Sequence, residues 1–193
     1  MRSSKQTKTM IGSLCVLFSI IMIGCGTFQA VKVPLTGYNP AFSKDYSAYK
    51  GKHVYLMNFD NQANDTSIWY YYSPDKKISY AGDGAIHNYF WYAFQRGFTK
   101  LGMVVSSMDH PDYTAPAMTV ALLSITDASY QVRVTVQKSG ATVFTDIYTT
   151  QEPPLAEKDR TPAALEQRAY KMTNRLIETI VGDPRFRKPM IEP

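Results

Sequence analysis

The sequence predicts an α+β domain, a two-layer sandwich in which a mostly antiparallel sheet carries two amphipathic helices on one face. Three observations predict it. Two long segments repeat apolar residues at intervals of three and four, several shorter segments are apolar or alternate with polar residues, and breaks rich in proline, glycine and aspartate separate them. An apolar helix stripe and a sheet with one apolar face must bury each other, and two packed layers achieve this.

The first strands are predicted soon after residue 50. Residues 53–59 are almost wholly apolar, which is typical of a central strand covered on both faces. Residues 67–72 and 77–80 are aromatic and β-branched and flank a turn at Pro74-Asp75, so they predict a hairpin with a tyrosine-rich exposed face.

A first helix is predicted from Asp83, which can cap its first turn, to Gly102, which can end it. Its apolar residues recur at three and four positions and form one stripe: Ile86, Phe90, Ala93, Phe94, Phe98 and Leu101. Residues 103–105 follow directly and predict a short return strand. Residues 106–116 predict a loop, because two prolines and two aspartates interrupt them.

A three-strand meander and a second helix complete the domain. Residues 118–126, 132–137 and 143–148 predict the strands, with a tight turn at Ser139-Gly140 and one face towards the core. Thr161 and Pro162 predict a helix start, cap and first-turn proline. The second apolar stripe, closed by Gly182, consists of Leu165, Ala169, Met172, Leu176 and Ile180.

The amino terminus predicts export. Arg2, Lys5 and Lys8 precede an apolar stretch over residues 10–23, and small residues follow. As a helix, these 14 residues would rise about 21 Å, less than the roughly 30 Å hydrocarbon core of a bilayer, so a permanent membrane span is the weaker interpretation. An ordinary cleavable signal with an incidental cysteine is the other alternative.

The tetrapeptide Met22-Ile23-Gly24-Cys25 resembles the lipobox of bacterial lipoproteins, with Met22 where leucine is usual. The resemblance implies cleavage after residue 24 and fatty acyl chains, palmitate among them, on Cys25. More than one acyl chain holds a protein stably on a membrane. Gly26, in place of aspartate, is what the family associates with the periplasmic face of the outer membrane of a Gram-negative cell.

The domain organisation follows from these features. We expect a signal peptide over residues 1–24, then Cys25 and a tether to residue 50. In the tether, Tyr38, Phe42, Tyr46 and Tyr49 may be expected to pin the chain along the domain. The α+β domain then spans residues 51–182. A frayed basic, proline-containing tail spans residues 183–193.

The order of elements, together with the helix–glycine–strand junction over residues 96–105, resembles small periplasmic domains of envelope accessory lipoproteins. These are the auxiliary lipoproteins of ABC-type transport systems, the lipopolysaccharide-assembly lipoprotein, the curli-secretion lipoprotein and the amino-terminal domain of the Tol system's propeller protein. The resemblance covers residues 51–182 and rests on element order, so it implies a fold, and function does not follow from fold.

Charge and residue types exclude several classes of function. The formal net charge of +5 includes Arg2, Lys5 and Lys8, so cleavage after residue 24 would leave +2, and we expect no nucleic-acid binding. The two cysteines cannot build a disulfide framework in the mature chain. No nucleophile elbow, phosphate loop or two-histidine metal spacing occurs, so we expect no enzyme, no metal and no cofactor.

The remaining candidate is an aromatic interaction surface. Tyrosine and tryptophan bury apolar area while they keep a hydrogen-bonding group, which favours them at interfaces. The residues are Trp69, Tyr70, Tyr71, Tyr72, Tyr80 and Trp91, although core packing explains them about as well.

Two functions are compatible with such a surface. The first is a non-catalytic accessory or structural lipoprotein whose hairpin or sheet edge docks onto other envelope proteins or onto copies of itself. The alternative is a periplasmic binding module for a small apolar or saccharide ligand, with a concave pocket lined by Trp69, Tyr71 and Trp91.

Overall fold

A mixed sheet of six strands lies at the centre of the computed structural model, which describes residues 30–64, 70–72, 79–81 and 84–192. Its strands are β2 (His53–Leu56), β3 (Asp60–Asn61), β6 (Val104–Ser106), β7 (Ala117–Ile125), β8 (Ser129–Lys138) and β9 (Ala141–Gln151). The order is β6-β2-β7-β8-β9, and β3 also pairs with β7. The predicted meander is confirmed: β7 is displaced by one residue from the expected 118–126, and β8 and β9 are longer than expected.

The two-layer α+β prediction is confirmed, and the sheet is mixed where a mostly antiparallel one was expected. β7, β8 and β9 are antiparallel, whereas β2 pairs in parallel with both β6 and β7. The chain between β2 and β6 contains a helix, and such a crossover returns the chain in the same direction.

β3 continues the line of β2 along β7. Leu56 pairs with Met118, and Asp60 pairs with Ala121 further along the same strand. From the sequence, the strand was expected to end at the polar residues Asp60 and Asn61. In the structure these two residues resume the parallel pairing.

A second, three-stranded sheet is formed by β1 (Ala30–Lys32), β4 (Tyr70–Tyr72) and β5 (Ser79–Ala81). β4 and β5 are antiparallel, with Tyr71 opposite Tyr80, which confirms the predicted hairpin. β1 pairs in parallel with β5. This segment was expected to be part of the tether, and β1 was not predicted.

Three helices accompany the sheets: α1 (Ile86–Lys100), α2 (Pro162–Gly182) and α3 (Pro184–Ile191). The predicted apolar stripes of α1 and α2 are buried in one core with the inward side chains of the six-stranded sheet. The Thr161 hydroxyl accepts a hydrogen bond from Ala164 N at 3.2 Å, as expected for the cap of α2. α1 begins with Ala85 at its N-cap position, and Asp83 lies outside the described residues.

Two glycines have structural roles in α1: Gly102 at its junction with β6, and Gly97 at its contact with α2. Gly102 has a φ of 82°, which favours glycine, and the N–H groups of Gly102 and Met103 close the helix on the carbonyls of Thr99 and Phe98. At Gly97, an added Cβ would lie 2.9 Å from Ile177 Cδ1. The missing side chain therefore lets α1 pack closely on α2.

α3 corrects the prediction of a frayed tail. Asp183 caps this helix by accepting a hydrogen bond from Arg185 N at 2.8 Å, and Pro184 occupies its first turn. Phe186 and Met190 are buried in the core. The basic residues mask this pattern in the sequence, although a capping aspartate before a proline was visible.

Candidate interaction surfaces

Trp91 is the residue of the predicted aromatic surface whose side chain the structure places. The backbones of Tyr70, Tyr71, Tyr72 and Tyr80 lie in β4 and β5, and Trp69 lies outside the described residues. Trp91 is half-buried on α1 and donates its indole N–H to Met57 O at 3.1 Å. This hydrogen bond holds the ring against the connection between β2 and β3. The predicted pocket of Trp69, Tyr71 and Trp91 therefore stays a prediction.

Trp91 instead lines a groove of about 350 Å³, which we call the α1 groove. One wall is the amino-terminal half of α1, and the others are the segments that follow β2 and β6. Its lining includes Asn58, His87, Trp91, Tyr92, Met108 and Asp109. Met108 and Asp109 were assigned to a plain loop, because only the tertiary fold brings that loop to α1.

A second groove of about 370 Å³ shares Asn88 and Tyr92 with the α1 groove. It lies between α1 and the chain around Leu35 and Tyr38, and its lining is mostly apolar. Tyr92 is 56% exposed and stands between the two grooves.

The face of the six-stranded sheet opposite the helices carries few charged side chains. Its outward positions on β7, β8 and β9 are mostly threonine, glutamine and alanine, and Arg133 is the charged residue among them. Val143 and Ile147 on β9 are 46% and 49% exposed. The outward Thr135 and Thr145 are paired across the strands, with their hydroxyl oxygens 3.2 Å apart. We call this surface the open face.

Residues 33–49 form a strap along α2. Tyr38 donates its hydroxyl to Asn174 Oδ1 at 2.7 Å, and Tyr49 donates its hydroxyl to Val181 O at 2.7 Å. Between them, the Ser43 hydroxyl donates to Glu178 Oε1 at 2.9 Å. The strap therefore contacts successive turns of α2. The expectation that tyrosines pin this segment is confirmed.

The strap hydrogen bond of Tyr49 also completes the end of α2. Val181 O belongs to the last turn of the helix, whose carbonyls have no partner within the helix. The Tyr49 side chain is 1% exposed, so an unpaired carbonyl beside it would be costly.

The buried phenols of the strap predict a loss of stability in alkali. Burial raises the pKa of Tyr38 and Tyr49, and burial with the hydrogen bond to Glu166 raises the pKa of Tyr170, the partner of Gly37 N, to about 12. In the unfolded chain the tyrosines release their protons near pH 10, whereas in the folded chain they do so only at higher pH. Their contribution to the free energy of unfolding is therefore fully present below about pH 10 and is lost as the pH rises towards about 12.

Urea unfolding followed by far-ultraviolet circular dichroism at several pH values between about 8 and about 11 measures this effect. Lysines also titrate in this range, so the matched comparison is a Tyr49→Phe, Tyr170→Phe variant, which should lose stability less steeply with pH. An equally steep decline in this variant would assign the effect to other groups.

The histidines contribute no catalytic cluster within the described residues. His53 is exposed at the start of β2, and its Nδ1 lies 3.1 Å from Asp112 Oδ2. Hydrogen bonds from Thr114, and then from His53, lower the pKa of Asp112. Over the described ranges no group of three or more histidine, cysteine or acidic residues is placed to hold a metal ion. In the same ranges, no helix combines the length and apolar character that crossing a bilayer requires.

These features define a class of protein: a two-layer α+β domain with a mixed sheet, one open face and an amino-terminal strap. Neither a protein-family model nor a curated protein sequence matches the chain. The fold is similar to the crystal structure of protein XCC0632 from Xanthomonas campestris, described as family-model DUF330. The TM-score is 0.56 at 10% sequence identity, over 79% of this chain and 90% of that chain.

At this identity the similarity shows the fold alone. The neighbour comes from a Gram-negative bacterium, which is consistent with the resemblance to bacterial envelope domains. The question of a lipid anchor depends instead on residues 1–25 of this chain.

Proposed function

We propose that this chain is a non-catalytic lipoprotein, anchored by acyl chains on Cys25 at the periplasmic face of the outer membrane. It serves there as an accessory or structural subunit of a cell-envelope complex for transport, secretion or assembly. Its partners are other envelope proteins or further copies of itself. The observation that carries the proposal is the open face, which no described segment of the chain covers, while the strap on the opposite, helical side leads back in sequence towards Cys25.

The residues of the open face favour contact with a protein. Central parts of protein interfaces are depleted in charged residues, and Arg133 is the charged side chain among the outward positions of β7, β8 and β9. Val143 and Ile147 add exposed apolar area at the same side. Tyr113 lies in the loop before β7 and is 80% exposed. Its ring packs edge-on against the ring of Tyr55 on β2, with the two ring centroids 5.9 Å apart.

The edge of the sheet offers a second means of association. β9 spans 11 residues and pairs, among the described strands, with β8. An edge strand of this length presents unpaired backbone groups, which a strand of another protein can use. Asp146 points towards the helix side of this edge and pairs with Arg185 of α3. That inward charge limits uncontrolled strand addition.

Ile147→Lys tests the proposed contact. A lysine in the middle of an apolar contact would be desolvated without a partner, so we expect association with a partner or a second copy to weaken at least about tenfold. The measurement is native mass spectrometry and co-purification of the full chain from detergent extracts of membranes. Thr99→Lys, an exposed position on α1, adds the same charge away from this face.

Two outcomes would contradict the proposal. A full chain that is monomeric and captures no envelope protein would remove the role in a complex. Undiminished association of the Ile147→Lys protein, with a native circular dichroism spectrum, would exclude the open face as the contact.

A further inference from the structure

The α1 groove lies where a parallel βαβ unit exposes its loops. β2 and β6 are adjacent and parallel, with His53 opposite Val104, and α1 lies in the chain that joins them. Asn58 follows β2, and Met108 and Asp109 follow β6, so all three come from the carboxyl ends of neighbouring parallel strands. Crevices at this end of parallel strands are the usual place for ligands in sheets of this kind. The volume of about 350 Å³ is within the range of small-molecule sites.

Two aromatic rings at right angles give the groove a defined shape. The Trp91 and Tyr92 ring centroids are 5.1 Å apart, with an angle of 88° between the ring planes. The hydrogen bond from Trp91 to Met57 O fixes the orientation of the indole. Tyr92 is 56% exposed and Met108 is 55% exposed, so apolar surface remains in contact with water here. A ligand that covers these side chains would remove their apolar surface from water, which favours binding.

The polar side chains of the groove have hydrogen-bonding capacity left. Within the described part of the chain, the side chains of Asn58, Asn88 and Asp109 make no hydrogen bond to another residue. Two amides and a carboxylate supply both donors and acceptors. A preformed groove with such groups suits a ligand with several hydroxyls.

The charge of the groove further restricts the class of ligand that it can bind. Among the residues that the structure describes, its lining contains the acidic Asp109 and no lysine or arginine. A phosphate or carboxylate ligand would therefore meet a carboxylate without a compensating cation. A neutral ligand avoids this repulsion.

We propose that the α1 groove binds a neutral oligosaccharide, whose ring packs on Trp91 and Tyr92 while its hydroxyls bond to Asn58, Asn88 and Asp109. A pyranose ring presents C–H groups on its faces and hydroxyls at its edge, and this matches two aromatic walls with amide and carboxylate groups beside them. The site is separate from the open face, and its occupation does not depend on acylation of Cys25.

Nuclear magnetic resonance of the full chain tests the proposal, in a detergent whose head group is not a sugar. The probes are maltotriose and N,N′,N″-triacetylchitotriose, each at about 10 mM, which nearly saturates a site with a Kd of about 1 mM. The expected result is a saturable shift of the Trp91 indole N–H signal, identified by its loss in Trp91→Phe. The two probes distinguish a plain glucose oligomer from an N-acetylated one, and binding of either supports the site.

Exposed-residue variants keep the test independent of folding. Tyr92→Ala and Asp109→Asn change exposed side chains and should weaken binding at least about tenfold, which corresponds to about 1.4 kcal/mol. Tyr113→Ala removes an even more exposed tyrosine outside the groove and should leave affinity within about twofold.

Three results would overturn the proposal. The first is no shift with either neutral probe. The second is a shift that Tyr92→Ala and Asp109→Asn leave unchanged. The third is a hyaluronan tetrasaccharide, which carries carboxylates, that binds the groove as tightly as the neutral probes.

Discussion

Replacing Cys25 with alanine is expected to abolish the incorporation of labelled palmitate and to move the protein out of the membrane fraction. Both effects follow from the proposed lipidation of Cys25, because alanine offers no sulfur to which the lipid can be joined. Each buried methylene of an acyl chain contributes about 0.8 kcal/mol to membrane binding, so the loss of more than one chain removes stable attachment.

The measurement is fractionation of cells grown with labelled palmitate, followed by recovery of the protein. Cys15→Ala is the matched control, since it removes the other cysteine and leaves residues 22–25 intact. It should be labelled and membrane-bound like the unaltered chain. A Cys25→Ala protein that is still labelled, or that matures and fractionates normally, would contradict the lipoprotein proposal.

The second large effect is expected at the strap. Tyr49→Ala should lower the free energy of unfolding by about 3–5 kcal/mol, because it removes a large aromatic side chain from a position that is 1% exposed. Tyr49→Phe keeps the ring and removes the hydroxyl that donates to Val181 O at 2.7 Å. It should cost about 1–3 kcal/mol, the usual penalty for a buried polar group left without its partner.

Urea denaturation of the detergent-purified chain measures both values, and the difference between them separates packing from hydrogen bonding. Lys44→Ala is the control, because Lys44 is an exposed residue of the same strap and should change stability by less than about 0.5 kcal/mol. Equal costs for Tyr49→Ala and Lys44→Ala would show that the buried contacts of the strap do not stabilise the folded domain.

The helices and the meander were predictable because their apolar patterns are local. Leu165, Met172 and Leu176 recur at the helical period, and the same residues are buried in α2. Val132, Val134 and Val136 alternate along the sequence, and all three are buried in β8. In such segments the spacing of the apolar residues directly identifies the face that is buried in the core.

Pairings between distant segments could not be predicted in this way. The parallel partners of β2 are set by the crossover through α1, and no residue of His53–Leu56 specifies whether its neighbour is parallel. The pairing of Asp60 and Asn61 with β7 satisfies the backbone of two polar residues, so their side chains carry no apolar signal. β1 was not predicted, because three residues are too few to show a period.

The candidate sites show the same division. Trp91 was singled out because tryptophan combines apolar area with a hydrogen-bonding group, and it does line a groove. Its companions Met108 and Asp109 come from a loop that reaches α1 only after β6 has paired with β2. The α3 helix was missed although Phe186 and Met190 are four residues apart, because the two basic residues and the proline between them outweighed a single apolar pair.

With the proposed lipid anchor on Cys25, the strap would also limit how far the domain can lie from the bilayer. Val33, the first residue of the strap, is eight positions after Cys25, and a fully extended chain of that length spans about 28 Å. Detaching residues 33–49 from α2, together with release of β1 from β5, would raise this maximum to about 85 Å. The formation or loss of the tyrosine contacts would then set the largest distance that the domain can reach from its anchor.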